Sequence, residues 1–242
     1  MRRLPLLLVI LPCLVALTGC DDNTLITPQA PDTVRVSFQD GVLPAASYHG
    51  TADAMLKNGP SNGLRNGNFG AAPSDTLGSA LLSSDFFERR LIIKMDLSSI
   101  KDCSQVLSAG LSIRIAPTAS DAMTLEAHRV VLPDYNPWVE GFGGLARGVS
   151  WTTIDGAAPW TAEGGDFESA SIDRKTVSSD TVVTFSLQPA LVKSWILKPA
   201  SNHGVVIKTT DISRELFAIV FLREFSTAAR RPRLDVTYLK GG

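Results

Sequence analysis

Apolar and polar residues alternate along much of the chain after residue 33, and a period of two is typical of β-strands with one buried face. In the first such segment, Val34, Val36 and Phe38 alternate with Arg35 and Ser37. The same pattern recurs at residues 91–95, 111–115, 183–187, 217–221 and 234–238. Asn-Gly and Asp-Gly pairs, which favour turns, are frequent in the intervening sequence. The pattern predicts an all-β fold, an antiparallel β-sandwich or jelly roll.

One segment, residues 189–198, has a helical pattern instead. It places Leu191, Val192, Trp195 and Ile196 on one side, and Pro189 suits the first turn of a helix. We expect a short helix that caps an open end of the sandwich. The longest irregular stretches are residues 58–75 and 136–167; they are rich in glycine, and long loops on a rigid scaffold often carry binding sites.

The first 20 residues have the pattern of a bacterial secretion signal. Two arginines precede an apolar stretch that is too short to span a bilayer. The tetrapeptide Leu-Thr-Gly-Cys at residues 17–20 then resembles the lipobox of bacterial lipoproteins. That resemblance implies cleavage after Gly19 and a lipid on Cys20. We therefore predict a signal peptide over residues 1–19, a lipidated cysteine with a polar tether over 20–32, and one domain over 33–242.

The predicted lipid places the protein in the bacterial cell envelope, bound to a membrane through its N-terminus. Two aspartates follow Cys20, and in enterobacterial lipoproteins an Asp at this place resembles an inner-membrane retention signal. Because that rule does not hold in all bacteria, either membrane remains open. Cys13 leaves with the leader and Cys20 carries the lipid, so Cys103 has no intramolecular disulfide partner. The fold must therefore be held by its core.

The overall charge argues against nucleic acid as a partner. The chain has 23 Lys and Arg residues and 24 Asp and Glu residues, a formal net charge of −1. A nucleic-acid-binding protein gains most of its affinity by neutralising phosphates with basic residues. Hydrophobic residues make up 44% of the chain, which is an ordinary globular composition.

Several stretches in a fixed order resemble the DNRLRE domain, a secreted bacterial β-sandwich module similar to carbohydrate-binding modules attached to alginate lyases. They are the strand at residues 89–100, the succession Trp-x-Glu-Gly at 138–141, Ser-Trp at 150–151 and Trp to Gly-Gly-Asp at 160–166, and Leu-Arg-Glu at 222–224. The resemblance covers residues 49–238 and implies a glycan-binding module. The chain departs from the family pattern in a longer segment over 133–149 and in Leu222, where Ser is usual. These departures leave the ligand open.

The candidate ligand-binding residues are aromatic and charged: Trp138, Glu140, Trp151, Trp160, Arg90, Arg223 and Glu224. The indole rings are suited to stacking on sugars, Glu140 to accepting from hydroxyls, and the guanidinium groups to binding the carboxylates of an acidic polysaccharide. The alternative is that the rings pack in the sandwich and the charged residues pair with each other. A glycan site at these positions requires exposed tryptophans along a groove, whereas the alternative requires buried rings and an apolar patch elsewhere.

The sequence offers no catalytic residues. The three histidines are far apart, without metal-ligand spacing, and neither a nucleophile elbow nor a phosphate-binding loop occurs. We expect neither an enzyme nor a cofactor; a structural Ca²⁺ held by Asp166 and loop carbonyls is the one metal considered. The expected function is that of a lipid-anchored envelope protein that binds a polysaccharide. The alternative is a structural or protein–protein interaction lipoprotein without a glycan site, whose protein partner the sequence does not identify.

Overall fold

The computed structural model describes residues 32–117, 121–144 and 147–241. The predicted signal peptide, Cys20 and nearly all of the predicted tether lie outside these residues. The described residues belong to one compact unit. Within them, eleven β-strands and two α-helices form.

The strands are, in chain order, β1 (Thr33–Phe38), β2 (Thr51–Lys57), β3 (Ser74–Leu82), β4 (Asp85–Met95), β5 (Cys103–Pro117), β6 (Met123–Arg129), β7 (Asp173–Val177), β8 (Thr181–Leu187), β9 (Val205–Thr209), β10 (Leu216–Phe221) and β11 (Arg233–Lys240). The helices are α1 (Asn62–Arg65) and α2 (Pro189–Leu197). All six segments that alternate in the sequence lie in strands. Helix α1 was not predicted; it is a single turn within the first long irregular stretch.

The strands form one continuous antiparallel sheet. Its order is β1-β11-β5-β10-β3-β4-β9-β6-β7, with β2 also paired to β4 and β8 also paired to β5. Strands β7 and β8 lie in contact although they do not pair. Because β7 is the last strand of the order and β8 pairs with β5, this contact brings the β7 end of the sheet next to the part around β5. The all-β, antiparallel, sandwich-like prediction is confirmed.

The main hydrophobic core lies between the halves of the folded sheet. Along β4, Leu91, Ile93 and Met95 point into this core, as the alternation predicts. Helix α2 buries the residues expected on its apolar side and packs against β5, which confirms the predicted short helix. Cys103 is a free, buried cysteine of the same core. No helix of the described residues is long and apolar enough to cross a membrane.

A second hydrophobic cluster lies on the opposite face of β2, β4 and β9. The strands contribute Ala54, Leu56, Ile92 and Val206. The irregular chain between β6 and β7 supplies the cover: Val130, Trp138, Val149, Trp151, Ile154 and Trp160. These three strands are therefore buried on both faces, and the segment that carries the predicted site is part of the packing.

Candidate functional site

Trp138 is buried in the second cluster, with 1% of its surface exposed. Its indole Nε1 donates a hydrogen bond to the carbonyl oxygen of His203 at 2.8 Å. The ammonium group of Lys94 lies 4.2 Å from the ring centroid and donates to the Trp138 carbonyl at 2.9 Å. Burial lowers the pKa of Lys94 to about 8. Both the face and the polar edge of the ring are thus occupied by the protein.

Trp151 and Trp160 are equally enclosed, each with 5% of its surface exposed. The Arg90 guanidinium carbon lies 4.6 Å from the Trp151 ring centroid, and Arg90 donates to the Gly164 carbonyl at 2.7 Å. Trp160 donates from Nε1 to the Ser150 carbonyl at 2.9 Å. All three predicted sugar platforms are packed against the sheet, which is the arrangement expected from the packing alternative. They are not available for stacking on a ligand.

Glycine 164 makes the close packing around Arg90 and Trp151 possible. Its φ is +86°, a left-handed conformation that side chains with a Cβ rarely adopt. A Cβ at this position would lie 2.5 Å from Arg90 Nη1 and 2.7 Å from a ring carbon of Trp151. Arg90 completes its contacts with an ion pair to Glu88 at 2.5 Å. The guanidinium of Arg90 therefore already contacts Gly164, Glu88 and the ring of Trp151.

Beside these packed rings, an open groove of about 710 Å³ runs along the surface. It is lined by residues 131–133 and Asn136, by Pro159 and residues 161–163 and 165–167, and by Arg90 and Ile154 from the packed region. Val131, Ile154 and Phe167 contribute apolar lining, whereas Asn136, Thr161, Glu163 and Asp166 contribute polar groups. A volume of this size and a mixed lining suit a small ligand or a short stretch of polymer.

Two exposed aromatic side chains lie on the same irregular segment. Tyr135 is 89% exposed and stands in the chain between groove-lining Pro133 and Asn136. Phe142 is 93% exposed and lies outside the groove lining. Of the aromatic residues in this segment, the structure therefore offers Tyr135 and Phe142 to solvent, and not the tryptophans.

Three other predicted residues come together at a separate place. Arg223 Nε lies 2.6 Å from Glu140 Oε1 and 2.8 Å from Glu224 Oε1. Arg223 also donates its backbone N–H to Asp53 Oδ2 at 2.9 Å, and the backbone N–H of Asp53 donates to Glu140 Oε1 at 2.8 Å. Asp40 Oδ1 lies 4.0 Å from Arg223 Nη1. We call Asp53, Glu140, Arg223 and Glu224 the carboxylate cluster.

The carboxylate cluster is enclosed. Asp53 is fully buried within β2, and burial, reinforced by the charge of Glu224, raises its pKa well above the ordinary value. Burial also raises the pKa of Glu224 to about 7 and shifts the pKa of Glu140 upward. Among the described residues, Asp53, Glu140 and Glu224 are the one group of three or more acidic, His or Cys side chains placed to share a metal ion.

The side chain of Asn68 holds the loop that carries Glu140 in place. The side chain of Asn68 is buried; its amide donates to the Glu140 and Val149 carbonyls, and its oxygen accepts from the Gly143 N–H at 2.8 Å. Gly70 allows the close approach, because a Cβ there would lie 2.3 Å from the Glu140 carbonyl oxygen. The glycine-rich opening stretch after β2 thus positions Glu140.

Arg90 and Arg223 do not lie together in one ligand-binding site. On β2, Leu56 pairs with Arg90 near the end of the strand, whereas Asp53 lies near its start with Arg223. Arg90 belongs with Trp151, and Arg223 with Glu140 and Glu224, so the two arginines serve different places. Arg223 and Glu224 do pair, as the structural alternative expected.

Asp166, the residue considered for calcium, has a turn-forming role. Its two carboxylate oxygens accept from the backbone N–H groups of Thr161 and Ala162 at 2.9 and 2.8 Å. It does not belong to the group of acidic residues placed to share an ion.

Sequence reasoning missed Tyr135, Asn136 and Asp53. Tyr135 and Asn136 directly precede Pro137 in a turn-rich stretch, and such tips are where polar and aromatic side chains stay exposed. Asp53 is an acidic residue between Ala52 and the apolar run Ala54–Leu56 of β2, and a buried charge of this kind requires a partner. That signal was present in the sequence.

Comparison with models of known protein families and with curated proteins finds no match. The DNRLRE resemblance therefore stays a prediction that rests on the motifs of this chain.

Proposed function

We propose that this protein is a lipid-anchored binding module of the bacterial cell envelope, which holds a glycan in the surface groove and does not cut it. The observation that carries the proposal is the groove itself: about 710 Å³, open to solvent, with apolar and polar lining side by side. Sugar rings present apolar faces and hydroxyl edges, so a mixed surface of this kind is complementary to them.

The charges in the groove favour a neutral glycan over an acidic one. Arg90 is ion-paired with Glu88, and Glu163 is ion-paired with Arg65. Asp166 adds a negative charge to the lining, although both its oxygens cap a turn. A uronate-rich polymer would find no free guanidinium here. The Asn136 amide and the Thr161 hydroxyl are uncharged groups suited to hydrogen bonds with sugar hydroxyls.

Tyr135 supplies the exposed aromatic ring that the tryptophans do not. It is flanked in the chain by residues of the groove wall and is almost fully exposed. An aromatic face in such a place can cover the apolar face of a sugar, with an effect of about 1 kcal/mol, or about fivefold in affinity. Tyr135 and Asn136 are therefore the residues on which binding should depend.

Affinity electrophoresis tests this proposal. The full chain, purified in detergent, is run through gels cast with a neutral glucan, chitin, alginate or pectin. We expect retardation by a neutral polysaccharide, weakened about fivefold in Tyr135→Ala and in Asn136→Ala. Phe142→Ala is the matched control, because Phe142 is equally exposed but, unlike Tyr135, has no groove-lining neighbour in the chain. Retardation only by alginate or pectin would refute the charge argument, and equal migration in every gel would refute glycan binding.

The lipid anchor rests on the Leu-Thr-Gly-Cys motif at residues 17–20. We expect a Cys20→Ser variant to leave the membrane fraction, and mass spectrometry of the wild-type N-terminus to show acyl groups on Cys20. A Cys20→Ser variant that fractionates like the wild type would contradict lipid anchoring.

A protein partner is the second candidate, and the observation that favours it is the exposed apolar pair on the Glu140 loop. Phe142 is 93% exposed and Val139 is 47% exposed. If no gel retards the protein, cross-linking in intact envelopes should show an adduct that Phe142→Asp abolishes and Tyr135→Ala preserves.

A further inference from the structure

The carboxylate cluster has more negative charge than its positive neighbours balance. Asp53 lies in β2, Glu140 in the irregular segment, and Glu224 after β10, while Asp40 after β1 adds a fourth carboxylate nearby. Arg223 is the one cation that bonds to these carboxylates from within the cluster. Lys94 acts on Glu140 at longer range and donates its hydrogen bond to Trp138 instead. His49, which pairs with Asp40, is largely exposed.

Two oxygens of the cluster have no hydrogen-bond partner among the residues that the structure describes. Arg223 and backbone N–H groups occupy Glu140 Oε1, Glu224 Oε1 and Asp53 Oδ2. Asp53 Oδ1 and Glu224 Oε2 are buried and accept no hydrogen bond. A buried carboxylate oxygen without a donor is costly, and buried charges in proteins are normally paired or bound to a metal. A cation bound beside the fully buried Asp53 would satisfy its Oδ1.

We propose that Asp53, Glu140 and Glu224 bind a divalent cation of the calcium class. One carboxylate oxygen from each residue lies within 4.8 Å of the other two. Calcium–oxygen distances are about 2.3–2.6 Å, so a single ion placed among the three oxygens can contact all of them after at most a small shift of the side chains. The donors are all carboxylate oxygens, without His or Cys, and this set suits hard cations rather than zinc or copper. A cation here would join β2, the Glu140 loop and the chain after β10.

This site is independent of the proposed glycan groove. Its residues come from β2, the irregular segment and the chain after β10, and none of them lines the groove. The ion would act as a structural cross-link between segments that are far apart in the sequence, since Asp53 and Glu140 are separated by 87 positions. Failure of glycan binding and failure of calcium binding are therefore separate results.

Calcium titration with thermal unfolding tests the proposal. The full chain in detergent is stripped with EDTA and titrated with calcium at pH 8. Parallel samples receive MgCl₂ or NaCl at matched ionic strength. We expect CaCl₂ to raise the Tm by about 5–10 °C at a hundredfold excess over Kd, and calorimetry to show one ion per chain. No shift up to millimolar calcium would overturn the proposal, as would an equal shift with MgCl₂ or NaCl.

Two variants locate the site. Asp53→Asn and Glu224→Gln keep the shape and remove one charge each, so we expect both to lose the calcium-dependent rise in Tm. Asp180→Asn is the matched control; it removes an exposed carboxylate paired with Arg114 and should keep the full rise. If Asp53→Asn does not fold, the half-buried Glu224 still decides the question. A calcium response that survives in Glu224→Gln would overturn the assignment to this cluster.

Discussion

Replacing Trp138 with Phe separates a packing role from a ligand-stacking role. The indole is 1% exposed, and its N–H bonds to the His203 carbonyl at 2.8 Å. Phe keeps an aromatic ring but cannot donate that hydrogen bond. The buried His203 carbonyl then loses its donor, which costs about 1–3 kcal/mol, and the smaller ring leaves a gap beside Lys94.

We expect Trp138→Phe to lower the free energy of unfolding by about 2–3 kcal/mol, and Trp138→Ala by about 3–5 kcal/mol. For a domain of this size, 2–3 kcal/mol corresponds to a decrease in Tm of about 4–12 °C. Total stabilities are about 5–15 kcal/mol, so Trp138→Phe should remain folded at 25 °C. Urea unfolding followed by circular dichroism measures the change, and thermal unfolding provides an independent check.

The glycan gels complete the test of Trp138. The folded Trp138→Phe variant should migrate like the wild type, because the ring is not exposed. Phe142→Ala, at an exposed position, should change stability by less than about 0.5 kcal/mol. The packing argument is refuted if Trp138→Phe unfolds at the wild-type urea concentration and has also lost its retardation.

Three further substitutions test other contacts. Arg223→Ala leaves buried carboxylates without their cation and should cost about 3–5 kcal/mol in urea unfolding at pH 8 without calcium; a loss below about 1 kcal/mol would contradict this. Burial lowers the folded-state pKa of Lys94 from 10.5 to about 8, so the charged form of Lys94 opposes folding at neutral pH. The free energy of unfolding should therefore increase as the pH rises from 8 to 10.5, because Lys94 then loses its proton in the folded state first. The Lys94→Met variant should lack this increase. Gly164→Ala places a Cβ against Arg90, whereas the Cβ added by Gly144→Ala has no atom within 4 Å, and both glycines have a positive φ. We therefore expect a clearly lower Tm for Gly164→Ala than for Gly144→Ala. Equal Tm values would show that backbone strain alone is responsible.

The alternation along the sequence predicted the strands better than it predicted what covers them. Six alternating segments are strands, since a period of two follows directly from a pleated backbone with one buried face. In β4, however, a strict alternation with Leu91 and Ile93 would place Ile92 on the outward face, and it is fully buried in the second cluster. The runs Leu-Ile-Ile at 91–93 and Val-Val-Ile at 205–207 are typical of strands buried on both faces.

The candidate site was predictable in its parts and not in its arrangement. Glu140, Arg223 and Glu224 were named from the sequence, but the contact between residues 83 positions apart depends on how β2 and β10 are placed in the sheet. Asp53 belongs to no motif, so the sequence did not predict it as a member of the site. Its importance comes from complete burial next to Glu140 and Arg223, which is a property of the fold.

The two-sided burial of β2, β4 and β9 decides where a ligand can be recognised. Their outer face is apolar, so it must be covered, and the segment between β6 and β7 uses its three tryptophans for that cover. What this segment leaves to solvent are its turns, with Asn136 in the groove lining and the exposed Tyr135 next to it in the chain. A substitution in the rings therefore affects binding only through unfolding, whereas a substitution at the turn affects binding at constant stability. A loss of binding in a tryptophan variant carries information about the ligand only when its free energy of unfolding is measured alongside.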